Sequence, residues 1–254
     1  MKRLQALLFD VDGTLADTEG QGHRVAFNRA FREAGLDWDW DEALYRELLA
    51  VTGGKERMRH YIERYRPDFT PPAGELETFL AELHRRKNAH YADLLAQGEV
   101  PLRPGIERLL REAREAGMRL AIATTTSPEN VTNLLENTLG AEAVDWFEVI
   151  GAGDVVPAKK PAPDIYHYVL ERLELPSEAT LALEDSANGV RAAVGAGVPT
   201  LVTANDFTLD DDFSGALAVV DQLGEPGRPA RRLPEGTPLG VLDLAALEAL
   251  WAGR

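Results

Sequence analysis

Cysteine is absent from this 254-residue chain. That excludes disulfides, thiolate metal sites and cysteine nucleophiles, including those of cysteine-dependent phosphatases. Long apolar runs are missing as well: nothing approaches the roughly 20 residues that a helix needs to cross a bilayer. Met1-Lys2-Arg3 is followed by only a few apolar residues before Asp10 interrupts them, so a secretory signal is not expected. Positive charge is scarce, with 27 Lys and Arg against 42 Asp and Glu and a net charge of -15. Such a balance argues against nucleic acid or an anionic membrane as the natural partner. It also means that any anionic substrate must be met by a local concentration of cations. The five histidines show no metal-ligand spacing. These absences describe a soluble, cytoplasmic protein, and a monomer is expected.

The chain does have enough apolar residues, 44% of the total, to bury one full core and a smaller second one. Leu4, Ala6, Leu7, Leu8 and Phe9 form a short, continuous, non-alternating run that suits a parallel strand covered on both faces. Residues 20 to 94 then read as helical. "HRVAFNRAFREAG" and "TFLAELHRRKNAHYADLLAQG" carry apolar residues at helical intervals and stop at Gly35 and Gly98. From "PGIERLLREAREAG" onward, helix and strand alternate. "MRLAIAT", "FEVIGAGD", "ATLALED" and "VPTLVTA" are the strands, and Ser127 is the expected N-cap of the helix in "SPENVTNLLENTLG".

Alternation of this kind reads as an α/β protein with a doubly wound, Rossmann-like parallel sheet. The helical block is an insertion, so residues 1–17 and 98–254 are expected to form the core domain and residues 18–97 a helical cap. The Pro/Gly-rich segment 224 to 240 reads as an exposed loop, and "VLDLAALEALW" as a terminal helix packing back on the core.

Four strand ends deliver polar residues: Asp10 with Asp12, then Thr124, then Lys160, then Glu184 with Asp185. In a doubly wound sheet these ends converge on one crevice. Clustered carboxylates repel unless a cation neutralises them, so an oxygen-loving metal, Mg²⁺ first, is implied. Mg²⁺, Lys160 and Thr124 together would offer charge and donors to a phosphoryl group. Asp10 can then attack as an already ionised carboxylate, while Asp12 donates to the leaving oxygen and later deprotonates water. Thr125 and Thr126 compete with Thr124 for its role. "TGGKE" fails as a phosphate-binding loop, because Leu49 and Glu56 stand where Gly and Ser/Thr are needed.

"DVDGT", "ATTT", "KKPAPD" and "LEDSANG", in this order, resemble the four motifs of the haloacid dehalogenase superfamily. The resemblance runs from about Leu4 to about Asp221, and the helical insertion looks like a type I cap. Within the superfamily the chain is similar to the β-phosphoglucomutase-like branch. "TGGKER", "RRKNAHY" and "IATTTSPENV" sit nearest its Calvin-cycle-associated xylulose-1,5-bisphosphate phosphatases.

The resemblance implies Asp10 as nucleophile, Asp12 as acid/base, and Thr124 and Lys160 as holders of the phosphoryl group. It implies Mg²⁺ on the Asp10 side chain, the Asp12 backbone carbonyl, Asp185 and Glu184. In the cap, Thr18, Glu19, His23, Lys55, Arg57 and Lys87 become candidate substrate contacts, with Thr125 in the core. "TEGQGHR" is one residue longer than the branch's spacing, which leaves His23 open between a substrate contact and a surface or structural histidine. The expected activity is hydrolysis of a small sugar phosphate or bisphosphate. A phosphomutase and a non-enzymatic sugar-phosphate-binding protein remain as alternatives.

Overall fold

Apolar continuity in the short central strands produces a sheet whose middle is buried on both faces. A computed structural model describes residues 3–72 and 74–254. The chain divides into two compact units, Met1–Asp17 with Pro101–Arg254, and Thr18–Val100.

The first unit is built on an eight-stranded sheet. Its strands are β1 (Ala6–Phe9), β2 (Arg119–Ala123), β3 (Val149–Gly151), β4 (Thr180–Glu184), β5 (Thr200–Thr203), β6 (Ala218–Val220), β7 (Ala230–Arg232) and β8 (Thr237–Gly240). Their order is β3-β2-β1-β4-β5-β6-β7-β8, parallel as far as β6 and antiparallel beyond it. β1 is central, with Phe9 in register with Ile122 on one side and Leu183 on the other. The order reverses at β1, and polar residues that follow β1 and β4 therefore meet at the carboxyl edge of the sheet. Four residues of β1 are fully buried, which is why its run does not alternate.

Four of this unit's helices fit the periodicity of their sequences. In Ile106–Glu115, Ile106, Leu109, Leu110 and Ala113 form the buried stripe. Pro128–Leu139 starts on Ser127, whose hydroxyl accepts the Asn130 N–H. Asp164–Leu173 and Ala187–Gly195 pack with β1, β2 and β4 in one apolar cluster. The terminal helix Leu244–Ala252 starts on Asp243 and buries Leu247 and Trp251, whose indole N–H donates to Thr180 O at 3.1 Å.

The segment 224 to 240 is not the loop its composition suggests. Residues 230–232 and 237–240 form a hairpin that extends the sheet. Ala230 is its buried anchor, and the Asp221 carboxylate accepts the Arg231 N–H at 2.7 Å, fixing the hairpin to the end of β6.

The second unit holds the helices Val25–Glu33, Glu42–Leu48, Gly54–Tyr65 and Leu76–Ala96, entered through a π-helical turn at Glu19–Arg24. An aromatic cluster forms its core, with Phe27 and Phe31 rings 4.7 and 4.9 Å from that of Trp40. Asn28 ties the unit together, donating to Trp40 O at 2.9 Å and accepting from Trp40 N at 2.8 Å. Among the described residues, no helix is long and apolar enough to cross a membrane.

Candidate active site

Lys160 is the centre of a buried polar cluster at the carboxyl edge of the sheet. Its ammonium donates to Asp10 Oδ1 at 2.6 Å and to Glu184 Oε1 at 2.7 Å, and all three side chains are buried. Asp10 follows β1, and its N–H donates to Leu183 O, the residue before Glu184 on β4. Carboxylate oxygens of Asp10, Glu184 and Asp185 lie within 4.8 Å of one another. Lys159, by contrast, pairs with Asp154 at 3.0 Å on the more exposed side of the loop.

Burial pushes the Asp10 carboxyl up to about 7, with Lys160 opposing the rise and the charges of Glu184 and Asp12 adding to it. Burial alone would pull Lys160 down, but the carboxylates of Asp10 and Glu184 outweigh it and hold the lysine above its ordinary range. Tyr166, from the helix Asp164–Leu173, donates its hydroxyl to Glu184 Oε1. Its burial, together with the Glu184 charge, holds the phenol well above its ordinary value.

The donor set fits a divalent cation. Oxygen ligands alone, without sulfur or imidazole, suit Mg²⁺. Glu184 Oε2 is buried without a hydrogen-bond partner, an expensive state that a cation or its water would relieve. Glycine preserves the space: a Cβ at Gly189 would lie 1.9 Å from that oxygen. At Gly13, φ is +78° and a Cβ would come within 2.2 Å of Asp185 Oδ2, so the turn after Asp12 needs glycine on both grounds.

The remaining core candidates are near this cluster in the topology but differ in environment. Asp12 is half-buried in the turn after β1. Thr124 directly follows the neighbouring β2, fully buried, and its hydroxyl accepts the Thr126 N–H at 3.3 Å; Thr125 is half-buried beside it.

The second unit gathers its candidates into two groups. Tyr45 donates to Glu19 at 2.5 Å and accepts from Arg57 Nη1 at 3.1 Å, while Arg57 Nε donates to Val51 O at 3.3 Å. Lys87 Nζ lies 2.8 Å from His23 Nδ1, with the rings of Tyr91 and Phe27 at 5.0 and 5.2 Å from the ammonium. Thr18 is buried, its hydroxyl without a partner, and Lys55 is half-buried at the start of its helix. His23 is 4% exposed and its ring lies 4.1 Å from that of Tyr91, tilted by 37°, so a surface histidine is excluded.

Sequence reasoning missed Tyr166, Tyr45, Asn205 and Arg103. Asn205, just past β5, donates to Asp185 Oδ2 at 2.8 Å and holds that carboxylate in place. Arg103 donates to the carbonyls of Gly13, Ala204 and Asp221 at 3.0, 2.9 and 2.6 Å. Asn205 and Arg103 each follow or precede an element boundary, which was the available signal. Tyr166 and Tyr45 sit in apolar helix stripes and read as core aromatics.

Residues 4–197 match the family model described as haloacid dehalogenase-like hydrolase. The CbbY protein of Cupriavidus necator, plasmid-borne, is 51% identical over 97% of this chain and 96% of its own. The crystal structure of CbbY from Rhodobacter sphaeroides in complex with phosphate superposes with a TM-score of 0.81 at 47% identity, covering 88% of this chain and 96% of that one. An Asp-to-Asn mutant of the same protein, in complex with xylulose-1,5-bisphosphate, gives 0.80 at 47% identity, over 87% of this chain and 96% of that one. The chain therefore belongs to the haloacid dehalogenase-like hydrolase family, and relatives named as phosphatases, 31% identical over 77% and 88% of this chain, make it a phosphatase of that family. Its likeness is to the CbbY proteins in particular, over nearly the whole length of both chains.

Proposed function

We propose that the enzyme is a Mg²⁺-dependent phosphatase of a small sugar bisphosphate resembling xylulose-1,5-bisphosphate, a cytoplasmic monomer working through an aspartyl-phosphate on Asp10. The observation that carries this reading is the buried Lys160 bridging Asp10 and Glu184 beside Asp185. A relative at 47% identity that binds a sugar bisphosphate supports the substrate class.

In the first step an Asp10 carboxylate oxygen attacks phosphorus, the bond from phosphorus to the sugar oxygen breaks, and Asp12 gives that oxygen its proton. In the second, Asp12 takes a proton from water, the water oxygen bonds to phosphorus, and the bond to Asp10 breaks, releasing inorganic phosphate and restoring both residues. Lys160 and Thr124, with Thr125, hold the phosphoryl oxygens. Asp10, Asp185, Glu184 and the Asp12 carbonyl would hold Mg²⁺, which would supply charge to neutralise the carboxylates and polarise the phosphoryl group. The polar side chains of the helical unit, Thr18, Glu19, His23, Lys55, Arg57 and Lys87, recognise the sugar and its second phosphate.

Phosphate release across a panel of sugar mono- and bisphosphates, with a parallel isomerisation assay, tests the reading. A bisphosphate should rank first, with phosphate and the monophosphate as products. Isomerisation without net phosphate release would make the enzyme a mutase. In the same panel Lys87→Ala should lower kcat/KM for the bisphosphate by about 10- to 100-fold, the value of a charge-assisted hydrogen bond. An aryl phosphate, lacking the distal group, should lose far less; equal losses would assign Lys87 to holding His23 and the fold.

A further inference from the structure

Glu184 has one saturated carboxylate oxygen and one bare one. Oε1 accepts from Tyr166 Oη and from Lys160 Nζ, the latter at 2.7 Å, while Oε2 is buried with no hydrogen-bond partner in the space left by Gly189. The two donors differ in kind. Lys160 ends a flexible chain and divides itself between Glu184 and Asp10, and in the proposed reaction it also serves the phosphoryl group. Tyr166 is fully buried, its ring locked in the apolar cluster with Ile165 and Val169, and its hydroxyl donates to Glu184 alone among the described hydrogen bonds. It is the donor that stays in place when the lysine is shared.

Which oxygen of a carboxylate is free decides how it can bind a cation. Mg²⁺ requires near-octahedral geometry and takes carboxylates through one oxygen; Ca²⁺ accepts more ligands and both oxygens of one group. We propose that Tyr166 is a positioning residue that, by occupying Oε1, leaves Glu184 a single available oxygen and sets the site for Mg²⁺ over Ca²⁺. The inference rests on the reading of the carboxylate cluster as a Mg²⁺ site. A hydroxyl that merely satisfied a buried phenol would alter the stability of the fold without altering the ratio of the two ions' affinities.

Calorimetric titration of Mg²⁺ and of Ca²⁺ into the wild type and Tyr166→Phe separates these roles, with the metal-free melting temperature recorded for each. Removing such an outer partner of a metal ligand costs about 10- to 100-fold in affinity. Tyr166→Phe should show that loss for Mg²⁺, while Ca²⁺, free to take both oxygens, should change by no more than about 3-fold. The Mg²⁺:Ca²⁺ preference therefore falls about 10-fold or more. Gly189→Ala crowds Oε2 itself and should weaken both ions together. A wild type that binds Mg²⁺ with an unchanged ratio in Tyr166→Phe overturns the role of Tyr166 alone. Unchanged Mg²⁺ affinity in Gly189→Ala overturns the premise that Oε2 is the ligand atom. A wild type that binds neither ion overturns the metal reading and this inference with it.

Discussion

At the scale of the residue, the account turns on how Asp10 carries its charge. A carboxylate buried beside Glu184, Asp185 and Asp12 has one buried lysine against it. The carboxyl's ordinary value of 3.8 is raised to about 7 by burial, with Glu184 and Asp12 adding to the rise and Lys160 opposing it. Between those values the folded protein keeps a proton that the unfolded chain has lost. The stabilisation is complete below 3.8 and disappears as the pH rises through about 7. Metal-free protein should therefore lose melting temperature across that window, and Mg²⁺ should restore it by stabilising the ionised form. Asp10→Asn removes the titration, so its metal-free slope should be flatter than that of the wild type. Identical slopes in the two proteins would contradict the burial assigned to Asp10.

At the scale of the element, Arg103 joins three pieces of chain that the sheet alone does not hold. It precedes the helix Ile106–Glu115 and donates to the carbonyls of Gly13, Ala204 and Asp221, at the ends of β1, β5 and β6. Arg103→Met keeps the length of the side chain and leaves those buried carbonyls without this donor. It should cost about 3 kcal/mol or more in urea unfolding, with Arg103→Lys intermediate. A loss under about 1 kcal/mol for Arg103→Met would mean that water replaces the guanidinium.

The sequence reading of this unit succeeded where one physical signal dominated. β1 is apolar throughout, and β4 is apolar from Leu181 to Leu183, because both faces are covered, and Ser127-Pro128 announces its helix through the cap. It failed at β7 and β8, where "ARR" and "TPLG" have neither length nor alternation, and pairing with β6 decides the structure. Asp10, Glu184 and Asp185 were legible because each is a polar residue at or just beyond a strand end; Lys160 instead lies in the loop between β3 and the helix Asp164–Leu173, nine residues past the strand, and was legible only through "KKPAPD". Tyr166 was not, since its place beside Ile165, Val169 and Leu170 makes it indistinguishable from core until Glu184 is seen beneath it.

At the scale of the molecule, a chain of net charge -15 must handle an anionic substrate, and it concentrates its means of doing so. The sheet unit brings one buried lysine to its carboxylates, and the helical unit buries Lys87 and Arg57 among aromatic rings and hydroxyls. In the proposed reaction the phosphoryl group and the rest of the substrate would be recognised by different residues, so binding away from phosphorus would be expressed in turnover. The central claim is that Asp10 forms the bond to phosphorus. Its most direct test is turnover of Asp10→Asn on the bisphosphate that ranks first in the panel, measured with Mg²⁺ beside the wild type and with folding checked by melting temperature. Loss of the nucleophile predicts a fall of roughly four to six orders of magnitude in a protein that is still folded. A folded Asp10→Asn enzyme that keeps a tenth of the wild-type rate would contradict the account.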